Sequence, residues 1–82
     1  MTEQEINLAI KNGVQQEVYP KLVRELINEK YSIYDEFALI NNHLIDADNQ
    51  EHVNEWNEYQ AYRVECKAKA KRILQLGGTD ND

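Results

Sequence analysis

The side chains equipped for chemistry are few in this 82-residue chain: one cysteine, Cys66, two histidines, His43 and His52, and 15 Asp and Glu. A nucleophilic site would set Cys66 beside a histidine acting as base. Cys66, however, falls on an apolar helical repeat, where a thiol ordinarily packs as a small hydrophobe. His43 and His52 flank a turn-like Asp46-Ala47-Asp48-Asn49, so Asp46 and Asp48 add oxygen donors nearby. Two histidines without a closed ligand set do not make a zinc site. Read as a calcium loop from Asp46, the segment puts Glu51 where the turn glycine belongs and Asn57 where the bidentate Glu belongs. The carboxylate pairs (Asp35-Glu36, Glu55, Glu58) read as ordinary acidic helix surface. No G-x-S-x-G, H-E-x-x-H, P-loop or dinucleotide fingerprint occurs, and three glycines offer little for cradling phosphate. The expectation is a protein that is not an enzyme, with no catalytic residue, no metal and no cofactor.

The cations gather late. Arg63, Lys67, Lys69, Lys71 and Arg72 cluster near the end of the chain, whereas Tyr31 to Tyr62 contains no Lys or Arg and seven acids. The net charge of -6 and a pI of about 4.8 are opposite to the footprint of a phosphate binder, so nucleic acid is not the expected partner. The acidic stretch from Asp35 to Glu58 leaves a different reading open. It could serve a small regulator or inhibitor that binds a nucleic-acid-processing protein of the host.

Composition narrows the class further. Leu, Ile, Val and Phe number 20, about 24% of the chain, and the mean hydropathy is -0.78. That is just above the range of intrinsic disorder and lean for a self-sufficient core. A single cysteine excludes an internal disulfide framework. No apolar run approaches the ~20 residues of a membrane span, and Met1-Thr2-Glu3-Gln4-Glu5 lacks the basic start of a signal peptide. The expected setting is the cytoplasm, with no membrane contact.

The elements that must position these residues read as helices. Thr2 with Glu5 has the form of a capping box, and Ile6, Ile10, Val14, Val18, Leu22 and Leu26 follow at helical spacing. Gly13 and Pro20 both oppose a straight helix, so a kink or break is expected between them, with a second helix starting near Pro20. Ser32 with Asp35 repeats the box, and Ile33, Phe37, Ile40 and Leu44 form one apolar stripe on a helix ending near Ile45. Asp48 with Glu51 is the expected cap of the last helix. Along it, Trp56, Tyr59, Arg63, Cys66, Ala70 and Ile73 alternate steps of three and four, a coiled-coil-like heptad seam that Val53 extends backwards by a further three. Arg63 occupies an apolar position of that seam, which leaves two readings: a stem packed along the seam with its head in water, or an ion pair with Glu36 or Asp35 that fixes register. Gly77 fits the left-handed residue after the helix, and 77–82 is expected to be a flexible tail beyond a single domain at 1–76.

A helix from Asp48 to Leu76 would run roughly 43 Å, against a diameter near 30 Å for a compact chain of this size. The expected architecture is therefore all-α and elongated: a helical hairpin with the N-terminal region alongside, completed as a homo-oligomer. Core and interface are assigned to Ile33, Phe37, Ile40, Leu44, Trp56, Tyr59, Tyr62, Arg63, Cys66, Ala70 and Ile73.

Three blocks occur in order: Tyr31-Ser32-x-x-Asp35-Glu36-x-Ala38-Leu39, Glu58-Tyr59-x-x-Tyr62, and Cys66-Lys67-x-x-Ala70-Lys71. In these the chain resembles small proteins encoded in tailed phages and prophages of Gram-positive and gut bacteria. The likeness spans about Leu22 to Leu76 and departs before Val18. The resemblance implies a gene among tail or late structural genes and no catalytic activity. The expected function is that of a phage structural, assembly or chaperone-like protein acting by helix–helix association. Other phage structural proteins would be its partners, and the host cytoplasm or the virion its location.

Overall fold

The structure is a computed structural model and describes residues 1–76. Among these residues there are four helices and no strand: α1 (Glu3–Lys11), α2 (Gln15–Asn28), α3 (Ile33–Ile45) and α4 (Gln50–Ile73). The fold is all-α and elongated, 47 × 25 × 15 Å with a radius of gyration of 15.1 Å. The expected Gly77 terminator and the tail at 77–82 lie outside the described residues.

Local chemistry explains where each helix starts and stops. Thr2 Oγ1 accepts the Glu5 N–H at 3.1 Å while Glu5 Oε1 accepts the Thr2 N–H at 2.9 Å. Ser32 and Asp35 repeat this reciprocal pair at the start of α3, at 3.1 and 2.9 Å. Each box satisfies two donors that a helix start would otherwise leave open. α1 ends where Gly13 turns to φ +70°, letting the Val14 N–H reach Ala9 O and the Gly13 N–H reach Ile10 O. Gly13 tolerates that conformation because it has no Cβ. The N-terminal region is thus two helices, broken at Gly13.

Two expected boundaries differ. α2 starts at Gln15, not near Pro20, which is the sixth residue of the helix. The first turn closes without it, through the Glu17 and Val18 N–H groups donating to Val14 O. The proline therefore removes one bond on an exposed stretch instead of setting the start. The cap of α4 is Asn49 and not Asp48: its side-chain oxygen accepts from the Glu51 and His52 N–H groups at 3.0 and 3.2 Å. α4 closes with Gln75, not a glycine, in the left-handed region at φ 57°. The Leu76 N–H donates to Lys71 O, and the Gln75 N–H to Arg72 O.

α4 is the spine, about 36 Å long, and the rest of the chain runs back along it. α2 lies on its C-terminal half: Leu22, Val23, Leu26 and Ile27 pack with Tyr59, Cys66, Ala70 and Leu74 to form the core. Ile27 and Leu74 are sealed from solvent. α3 continues in the same sense over the N-terminal half, where Glu36 meets Tyr59 and His43 meets Trp56. The molecule is a helical hairpin with one continuous arm, α4, and one arm broken at Tyr31–Ser32. α1 folds back on α2, and the Met1 ammonium contacts the Glu25 carboxylate. The length problem posed by the last helix is met within one chain, because α2 and α3 cover it end to end.

Candidate functional site

At the break between α2 and α3, three helices converge on a single carboxylate. Glu36, 5% exposed, is the one buried charged residue among those described. It comes from the first turn of α3, accepts Arg24 Nη1 from α2 at 2.6 Å and the Tyr59 hydroxyl from α4 at 2.6 Å. Burial alone would raise the Glu36 carboxyl. The hydrogen bonds from Tyr59 and Arg24, with the Arg24 charge, outweigh it and hold the carboxyl below its usual range. The phenol responds the opposite way: burial, then the bond to Glu36, push Tyr59 up to about 12. Tyr31, in the linker, sets its ring edge-on to Tyr59 at 5.1 Å and to Tyr62 at 5.6 Å. The Tyr62 hydroxyl donates to Leu26 O at 3.1 Å.

The residues expected at the core or interface divide sharply. Tyr59, Cys66 and Ala70 are buried, and Trp56, Tyr62, Arg63 and Ile73 are half-buried along the inner side of α4. The α3 stripe does the reverse. Ile33, Phe37, Ile40 and Leu44 are 53, 56, 38 and 72% exposed. None of them belongs to the core, into which the apolar stripe of a hairpin helix ordinarily packs. α3 docks instead by Glu36, half-buried Leu39 and the His43 ring, which stacks on Trp56 at 4.1 Å with an interplanar angle of 11°. At 3.6 residues per turn, the apolar stripe points roughly a third of a turn away from that docking face. The bonds of Glu36 and the stack of His43 fix the rotation, because turning the stripe inward would strand both.

The expected ion pair of Arg63 with Glu36 or Asp35 is not formed; Arg24 holds Glu36. Arg63 donates to Gln60 Oε1 at 3.3 Å and places its guanidinium 5.8 Å from the Tyr59 ring centre, leaving Nε buried without a partner. Sequence reasoning missed Arg24, whose place beside Leu22, Val23, Leu26 and Ile27 on the amphipathic α2 was the available signal.

His52 Nδ1 lies 3.1 Å from Asp46 Oδ2 across the α3–α4 turn, while His43 is held on Trp56. Among the described residues no three His, Cys, Asp or Glu side chains converge as a metal site would require. Burial pushes the Cys66 thiol up, away from the reactive thiolate. A shallow open depression of about 330 Å³ beside α3 brings Lys30, Asp35 and Glu55 over Tyr31 and Leu39. No helix among the described residues is long and apolar enough to cross a membrane. The candidate functional site is the outward face of α3, where Ile33, Phe37, Ile40 and Leu44 stand exposed. No family model, curated protein or solved structure matches the chain.

Proposed function

We propose that this chain is a non-enzymatic protein of a phage or prophage that acts by helix–helix association, as a structural, assembly or chaperone-like component. The observation that carries the association is the outward apolar stripe of α3, four large side chains on one exposed helix face. Contiguous apolar surface of that kind marks an interaction site in a soluble protein. The phage setting rests on the three sequence blocks named above. The test is particle yield. A Phe37→Glu/Leu44→Glu variant, still helical by circular dichroism, lowers the yield of infectious particles at least tenfold in a host carrying the phage or prophage. An unchanged yield overturns the reading.

A second reading is favoured by the charge map: Asp35, Glu51, Glu55 and Glu58 are exposed on a stretch without Lys or Arg. It makes the chain an acidic regulator of a host nucleic-acid-processing protein. Such binding weakens steeply as salt rises, whereas association through α3 persists.

A further inference from the structure

We infer that the outward stripe of α3 pairs antiparallel with the same stripe of a second copy of this chain. The inference deepens the proposed function and rests on its reading of α3 as the contact face. Three observations carry it. The first is spacing. Ile33, Phe37, Ile40 and Leu44 are separated by four, three and four residues, a pattern unchanged when the helix is reversed. Two copies related by a two-fold axis therefore set Ile33 against Leu44 of the other copy and Phe37 against its Ile40. The contact is isologous and closes at two subunits.

The second observation is charge. α3 contains no Lys or Arg, and the open flank of the stripe carries Tyr34 and Asn41, both neutral. The charged or ionisable side chains on the other flank, Glu36 and His43, are already engaged by Arg24, Tyr59 and Trp56. Nothing along the seam repels a copy of itself, and nothing there selects a partner by opposite charge. Antiparallel helix dipoles add a small favourable term.

The third is area. Flanked by Tyr34, 79% exposed, the four stripe side chains stand out on a 13-residue helix. Together they offer on the order of 500 Å² of apolar side chain per copy, or about 1,000 Å² per pair. That is the lower bound for a specific interface and fits a reversible dimer better than an obligate one.

Sedimentation equilibrium of the full chain, from roughly 1 to 300 µM, tests the pairing. A monomer–dimer equilibrium is expected, with a dissociation constant raised at least tenfold by Phe37→Glu and unchanged by Val64→Glu, an equally exposed site on α4. Geometry is tested by disulfide trapping on a Cys66→Ala background. Copies carrying Ile33→Cys, mixed with copies carrying Leu44→Cys, form the mixed disulfide. Two Ile33→Cys positions do not join, being roughly 16 Å apart along the pair. A monomer throughout, a dimer indifferent to Phe37→Glu, or trapping between identical positions overturns the inference. Loss of particle yield in the Phe37→Glu/Leu44→Glu variant of a chain that stays monomeric would sink self-pairing while leaving the proposed function standing.

Discussion

Glu36 shows how one residue orients a helix. A buried carboxylate is tolerated only when its charge and lone pairs are matched, and Arg24 and Tyr59 supply both. Replacing Tyr59 with Phe keeps the ring and removes one bond, so stability should fall by about 1–2 kcal/mol. That is roughly 5–15 °C in Tm for a chain of this size. The pH profile gives a separate signature. Because the folded phenol titrates at about 12 and the free one at 10.0, its contribution is complete below pH 10 and is lost as pH rises from 10 towards 12. Chemical denaturation across that window should show a smaller alkaline loss in Tyr59→Phe than in the wild type, the remainder coming from Tyr62 and Cys66, both also held up by burial. Glu36 acts at the other end: its depressed carboxyl contributes stability above pH 4.5 that disappears as pH falls through the lower folded value. Glu36→Gln should flatten that acid limb. The residue types at this junction were visible in the sequence, but the pairing was not. Arg63 and Arg24 were equally available to Glu36, and only the path of α2 decides between them.

At the scale of the element, helix ends were the most legible feature, because caps depend on residues three or four apart. Thr2–Glu5 and Ser32–Asp35 could be read locally, and Gly13 with Pro20 bounded the stretch in which the chain breaks. Even so, Asn49 displaced Asp48 as the cap, since the two lie one residue apart and either side chain can accept first-turn N–H groups. The two left-handed ends give paired predictions. Gly13→Ala should destabilise by about 1 kcal/mol, since open space around the site leaves backbone strain as the cost. Gln75→Gly relieves the same strain and should stabilise by about 0.5–1 kcal/mol; thermal melts of both variants check the signs. α3 differs from its neighbours in what holds it. α2 buries four aliphatic side chains, whereas the one buried residue of α3 is Glu36. Native-state hydrogen exchange should therefore release the amides of α3 before those of α2 and of α4 beyond Tyr59. Equal protection across α2 and α3 would contradict this ranking.

For the whole molecule, the lean core and the unused apolar face are two sides of one arrangement. Apolar residues sufficient for a thicker core exist, but those of α3 are turned to solvent, so the chain is slender and keeps an apolar face exposed. Each copy carries a net charge of -6, which opposes self-association at long range. Dimerisation through a neutral stripe should accordingly strengthen when salt is raised from about 50 to 500 mM, as repulsion is screened. Weakening over that range would point to charge pairing instead. Local spacing was enough for the all-α class, for the capping boxes at Thr2–Glu5 and Ser32–Asp35, and for an interruption somewhere between Gly13 and Pro20. Which face α3 turns inward was decided only by tertiary structure. Periodicity identifies an apolar stripe, but the rotation of a helix against its neighbour depends on contacts distant in sequence. Here two hydrogen bonds to Glu36 and a ring stacked on Trp56 prevail over that stripe.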